Sequence, residues 1–98
     1  MELYMIRRRS IWGNEDELAA TNETSVQVGQ DMGTRLRWIR SYAVTEDDGR
    51  IGSVCFYEAD GPEAIQEHAS RIGAPSEEIR AVRGAAVKQP DPQPVQYG

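Results

Sequence analysis

Alternating apolar and polar runs, broken by two stretches of helical spacing, organise this chain. Leu3-Tyr4-Met5-Ile6 reads as a first strand that runs into Arg7-Arg8-Arg9. Gly13-Asn14 then breaks the pattern. Asn14 is suited to cap a helix whose first turn holds Glu15, Asp16 and Glu17, where the helix dipole favours negative charge. The spacing of Leu18, Thr21, Ser25, Val28 and Met32 predicts a helix to about Met32, ended by Gly33. Its face is poor in large apolar groups, and its Thr, Asn and Ser residues lower its propensity.

A second strand is predicted over Arg35 to Val44. Strict alternation puts Leu36, Trp38, Arg40, Tyr42 and Val44 on one face, and Ile39, Ser41 and Ala43 on the other. Asp48-Gly49 supplies a hairpin turn into a third strand, Ile51 to Glu58, where Val54 and Phe56 alternate with Ser53, Cys55 and Tyr57. Asp60-Gly61-Pro62 starts a second helix with an Ile65, Ala69, Ile72 stripe. Gly73 closes it. Ile79 to about Val87 gives a last strand. The order β-α-β-β-α-β predicts an α+β, ferredoxin-like domain, an antiparallel sheet with two helices on one face, over residues 1–88. The open sheet face suits a homodimer. Residues 89–98 hold three of the five prolines and read as an extended or disordered tail.

With 98 residues and 39 % apolar content, the chain supports one small core. Its net charge of −5 argues against nucleic-acid binding, despite the aromatics on the sheet. A single cysteine excludes a disulfide framework within the chain. The start Met1-Glu2-Leu3-Tyr4 lacks a signal-peptide pattern, and there is no long apolar run. The expected setting is the cytoplasm, without membrane contact.

Candidate chemistry is confined to few residues. His68, the only histidine, lies about 60° round its helix from Ile65, at the border of the apolar stripe. It reads either as a hydrogen-bonded border residue or as a metal ligand. Cys55 reads as a buried packing residue, since free cysteines are among the most buried types. As a nucleophile it would need a base, and only His68 is available. The arginines of the first two strands read as solvated edge charge or as an anion site, and Glu46-Asp47-Asp48 as a solvated turn.

The blocks W-I-R-S-Y (Trp38 to Tyr42), C-F-Y-E-A (Cys55 to Ala59), E-A-I-Q-E-H-A (Glu63 to Ala69) and G-A-P-S-E-E-I (Gly73 to Ile79) resemble the small bacterial nickel-responsive or nickel-binding ferredoxin-like proteins. The resemblance spans roughly residues 3 to 83. It implies a ferredoxin-like fold, a dimer and nickel binding at the surface, with His68 as the nitrogen ligand. Glu63 and Glu58 are the expected oxygen ligands, and dimer symmetry would bring two copies of a ligand together. Two other readings stand beside this one. A cofactor-poor oxygenase or isomerase would use a cavity between sheet and helices, with Trp38, Tyr42, Cys55 and Tyr57 as candidate pocket residues and Phe56 adding apolar surface. An interaction module would dock a partner through the proline-rich tail.

Overall fold

Asn14 and Gly33 bound the first helix as their chemistry requires. In a computed structural model, which describes residues 1–91, α1 runs Glu15–Met32. The Asn14 side chain accepts the Glu17 amide at 3.0 Å, and the Glu17 carboxylate accepts the Gly13 amide at 3.0 Å. The two bonds satisfy amides that the helix leaves without partners. At the other end Gly33 adopts φ 63, a value that favours glycine, and a short 3-10 turn leads on. Leu18, Asn22, Ser25, Val28 and Met32 form the buried face. Asn22 replaces the expected Thr21, which is half-buried and receives the Trp12 indole N–H at 2.8 Å.

The strands are β1 (Glu2–Trp12), β2 (Leu36–Thr45), β3 (Ile51–Ala59) and β4 (Glu78–Ala81), with α2 (Pro62–Ile72) before the last. They form an antiparallel sheet in the order β2-β3-β1-β4. This is the ferredoxin-like α+β arrangement that the element order predicts. Tyr4, Ile6, Cys55, Tyr57 and Leu36 pack with Val28 and Met32 of α1 and Ala64 and Ile65 of α2 in one core. Both helices therefore cover the same sheet face. Met5, Arg7, Val54 and Phe56 alternate with the core residues and are only half-buried on the other face. No helix among the described residues is long and apolar enough to cross a membrane.

Three sequence expectations are corrected. First, β1 continues past its arginines to Trp12. It does so through an irregularity between Arg8 and Trp12, where Ser10 has φ 53. Second, β2 does not alternate strictly. A register shift between Trp38 and Arg40 leaves Trp38 opposite Tyr57 but sets Arg40 opposite Phe56, Ser41 opposite Cys55 and Tyr42 opposite Val54. Trp38 and Ser41 thus share the helix-covered face, and the Trp38 indole N–H donates to Ser41 Oγ at 2.6 Å. Arg40 and Tyr42 fall on the open face. An extra residue reverses every side chain that follows it, which period-two reading cannot detect.

Third, β4 ends at Ala81 rather than near Val87. Ala81 pairs with Tyr4, and Val82 donates to the Leu3 carbonyl at 2.9 Å, which brings β4 to the beginning of β1. Beyond this point the chain has no regular structure through Asp91. Asp91 is ion-paired with Arg40 and accepts the Tyr42 hydroxyl at 2.6 Å, both on the open face. The expected tail of residues 89–98 lies outside the described residues from 92 onward.

Candidate functional site

Pro62 at the first helical position and Gly73 at φ 72 fix the limits of α2. That phase buries Ala64, Ile65, His68 and Ala69. His68 is 2 % exposed, so it belongs to the interior and not to the rim where its helical angle placed it. Its Nε2 lies 3.2 Å from Ser25 Oγ and 3.3 Å from the Ser25 carbonyl oxygen on α1. The ring tilts at 55° against Tyr57, which stacks on Trp38 at a centroid distance of 5.8 Å. Burial pushes the His68 pKa below its ordinary value. The Ser25 carbonyl opposes that shift, while the Arg8 and Arg71 charges add to it. The imidazole joins the two helices.

A cavity of about 20 Å³ lies between the sheet and α1. Of the four candidate pocket residues, Trp38, Cys55 and Tyr57 line it, whereas Tyr42 does not, because the β2 register shift turns it to the open face. Sequence reasoning missed the rest of the wall, including its polar groups Arg8 and Asn22. Arg8 is 3 % exposed. Its Nε donates to the Ala74 carbonyl at 2.9 Å, and its Nη1 is 3.9 Å from Cys55 Sγ. The signal was present in the pattern: Arg8 follows Tyr4 and Ile6 at spacing two, on the core face. The Cys55 thiol is buried and points to Ser53 Oγ at 3.5 Å.

The three expected metal ligands do not converge. His68 is enclosed between the helices, and Glu58 is on the open side of β3, with Arg37 Nη2 at 2.6 Å. Glu63 is exposed in the first turn of α2, its carboxylate folded back over Gly61. Among the described residues, no three His, Cys, Asp or Glu side chains form a group able to hold a metal ion. Carboxylates do collect at one end of the sheet. Glu2 pairs in register with Ala59, between Glu58 and Asp60, and Glu63 follows at the start of α2. Glu2 accepts the Tyr4 hydroxyl at 2.7 Å. That bond, with burial and the Glu2 and Glu63 charges, raises the Tyr4 pKa.

The arginines and the hairpin also differ from solvated charge. Glu46 takes Arg7 Nη2 at 2.8 Å and the Ser10 amide at 3.2 Å, which lowers its pKa. It fastens the hairpin to the irregular end of β1.

A model of the nickel responsive protein SCO4226-like family matches residues 4–82. That range contains both helices and almost the whole sheet. No curated protein matches the chain. Among solved structures, the crystal structure of SCO4226 from Streptomyces coelicolor A3(2) is similar, with a TM-score of 0.69 and 24 % identity. The match covers 86 % of this chain and 99 % of that one, and it is a likeness of fold.

Proposed function

The chain belongs to the SCO4226-like nickel responsive family, and from that premise we propose that it is a homodimeric nickel-binding protein whose role is binding, not catalysis. The family match over residues 4–82 is the observation that carries this reading. The ion binds at the acidic end of the sheet, where Glu63 is exposed at the start of α2, Glu58 is half-buried on β3 beside Arg37, and Glu2 pairs in register with the neighbouring Ala59. One chain supplies too few ligands there. Water and a second copy complete the coordination, as suits an ion that tolerates oxygen and nitrogen donors and open positions.

Two features support this over the enzyme reading. The cavity of about 20 Å³ is far smaller than the roughly 300–1,000 Å³ of pockets that enclose organic substrates. The open sheet face carries Phe56, Val54 and Tyr42 half-buried and Ile39 exposed, an apolar surface that a second copy would cover.

Calorimetric titration with Ni²⁺, against Mg²⁺ as a control, tests the proposal. Saturable Ni²⁺ binding that weakens in Glu63→Gln and Glu58→Gln is expected. Heats indistinguishable from dilution, or binding unchanged in both variants, would remove the site.

A further inference from the structure

We propose that the cavity between the sheet and α1 is a binding site for a compact monovalent anion, of halide or formate size, held by Arg8 and Asn22. This inference is independent of the nickel reading.

The argument starts from an unbalanced charge. Arg8 is 3 % exposed, and a guanidinium remains charged at any physiological pH. Buried cations are normally matched by a carboxylate, because desolvation without a partner is costly. Here Arg8 donates only to the Ala74 carbonyl and, weakly, toward the Cys55 sulfur. Among the described residues no carboxylate pairs with it. The other arginines of β1 differ: Arg7 holds Glu46, and Arg9 holds Glu77 and Glu78.

Asn22 provides a second, independent observation. It is 9 % exposed, and its Nδ2 is buried with no acceptor. A buried amide N–H₂ without a partner is rare in a folded protein. Both side chains line the same cavity, together with the hydroxyl-bearing Ser25, Ser41 and Ser53. The wall therefore offers one fixed positive charge, an unused amide donor and orientable hydroxyls. That donor set suits an anion and repels a metal cation.

Size sets the class. About 20 Å³ holds one or two water-sized bodies. A halide or a one-carbon carboxylate fits, while sulfate, phosphate and larger carboxylates do not. Trp38, Ser41 and Thr21 in the cavity wall are half-buried.

Both tryptophans of the chain, Trp12 and Trp38, line the cavity, so the intrinsic fluorescence of the full chain reports on it. Titration with sodium bromide and with sodium formate, at constant ionic strength set by sodium sulfate, is expected to give a saturable change. Arg8→Met, which keeps the length and removes the charge, is expected to abolish saturation and leave only the linear collisional quenching of bromide. Saturation that persists in Arg8→Met, or a linear response to both anions in the unmodified protein, would overturn the proposal. Should Arg8→Met fail to fold, bromide diffraction from crystals of the unmodified protein decides. An anomalous peak within hydrogen-bond distance of the Arg8 guanidinium and Asn22 Nδ2 is expected, and a map without one contradicts the site.

Discussion

His68 Nε2 stands 3.2 Å from Ser25 Oγ, a contact between α2 and α1 in which both residues are buried. Removing the ring loses the bond and opens a hole beside Tyr57. His68→Ala is expected to cost about 2–4 kcal/mol, read as a lower urea midpoint at unchanged slope. The folded variant is expected to retain Ni²⁺ binding close to that of the unmodified protein, because the ring is a strut between helices.

The same residue gives the stability a pH signature. Burial holds the folded-state pKa of His68 below its ordinary value near 6.5. Well above pH 6.5 the ring is neutral in the unfolded state as in the folded one, and its contribution is complete. Below that, the unfolded chain takes up a proton that the folded chain refuses, so stability falls until the folded-state pKa is passed. Urea unfolding between pH 7.5 and 5 is expected to show this loss, and His68→Gln to flatten it. A separate decline at lower pH belongs to Glu46, Asp48, Glu67 and Glu78, whose pKa values are held down chiefly by hydrogen bonds from arginine side chains or, for Asp48, from the Arg50 amide.

The element order, the Asn14 and Pro62 helix starts, the Gly33 and Gly73 stops and the Gly49 turn were legible because each rests on local chemistry. Gly49 adopts φ 82 as a hairpin turn demands. Side-chain placement was less legible where a single residue altered the phase. The shift after Trp38 sent Tyr42 to the open face and brought Ser41 to the cavity. Arg8 was hidden for another reason. A charge on a strand reads as solvated, and only the tertiary packing, with the Ala74 carbonyl beyond α2 taking its Nε, encloses it. The separation of His68 from Glu58 was illegible because the two belong to opposite sides of the sheet, a relationship that helix phase alone does not contain.

Gly52 allows the hairpin anchor to form. A Cβ there would collide with the Glu46 carboxylate and the Arg8 carbonyl oxygen. Gly52→Ala is expected to displace Glu46 from Arg7 and destabilise the fold by about 1–3 kcal/mol. Thermal unfolding of Gly52→Ala alone and combined with Glu46→Gln checks this, since the double variant should lose less than the sum of the two.

Ser10 holds φ 53 at the β1 irregularity, a conformation that costs a non-glycine residue about 1–2 kcal/mol. Glycine removes that strain but gains freedom in the unfolded chain. Ser10→Gly is therefore expected to be neutral or to stabilise by up to about 1 kcal/mol. Alanine keeps the strain and brings no gain, so the pair of midpoints separates backbone strain from loss of the hydroxyl.

The site of the nickel ion tests the account most directly. Crystals of the full chain grown with Ni²⁺ and measured at the nickel absorption edge would locate it without reference to any variant. The account predicts an anomalous peak at the acidic end of the sheet, against Glu63 or Glu58, with a second copy or water in the remaining positions. A peak at the His68 ring between the helices, or none at the carboxylates of that end, would contradict it.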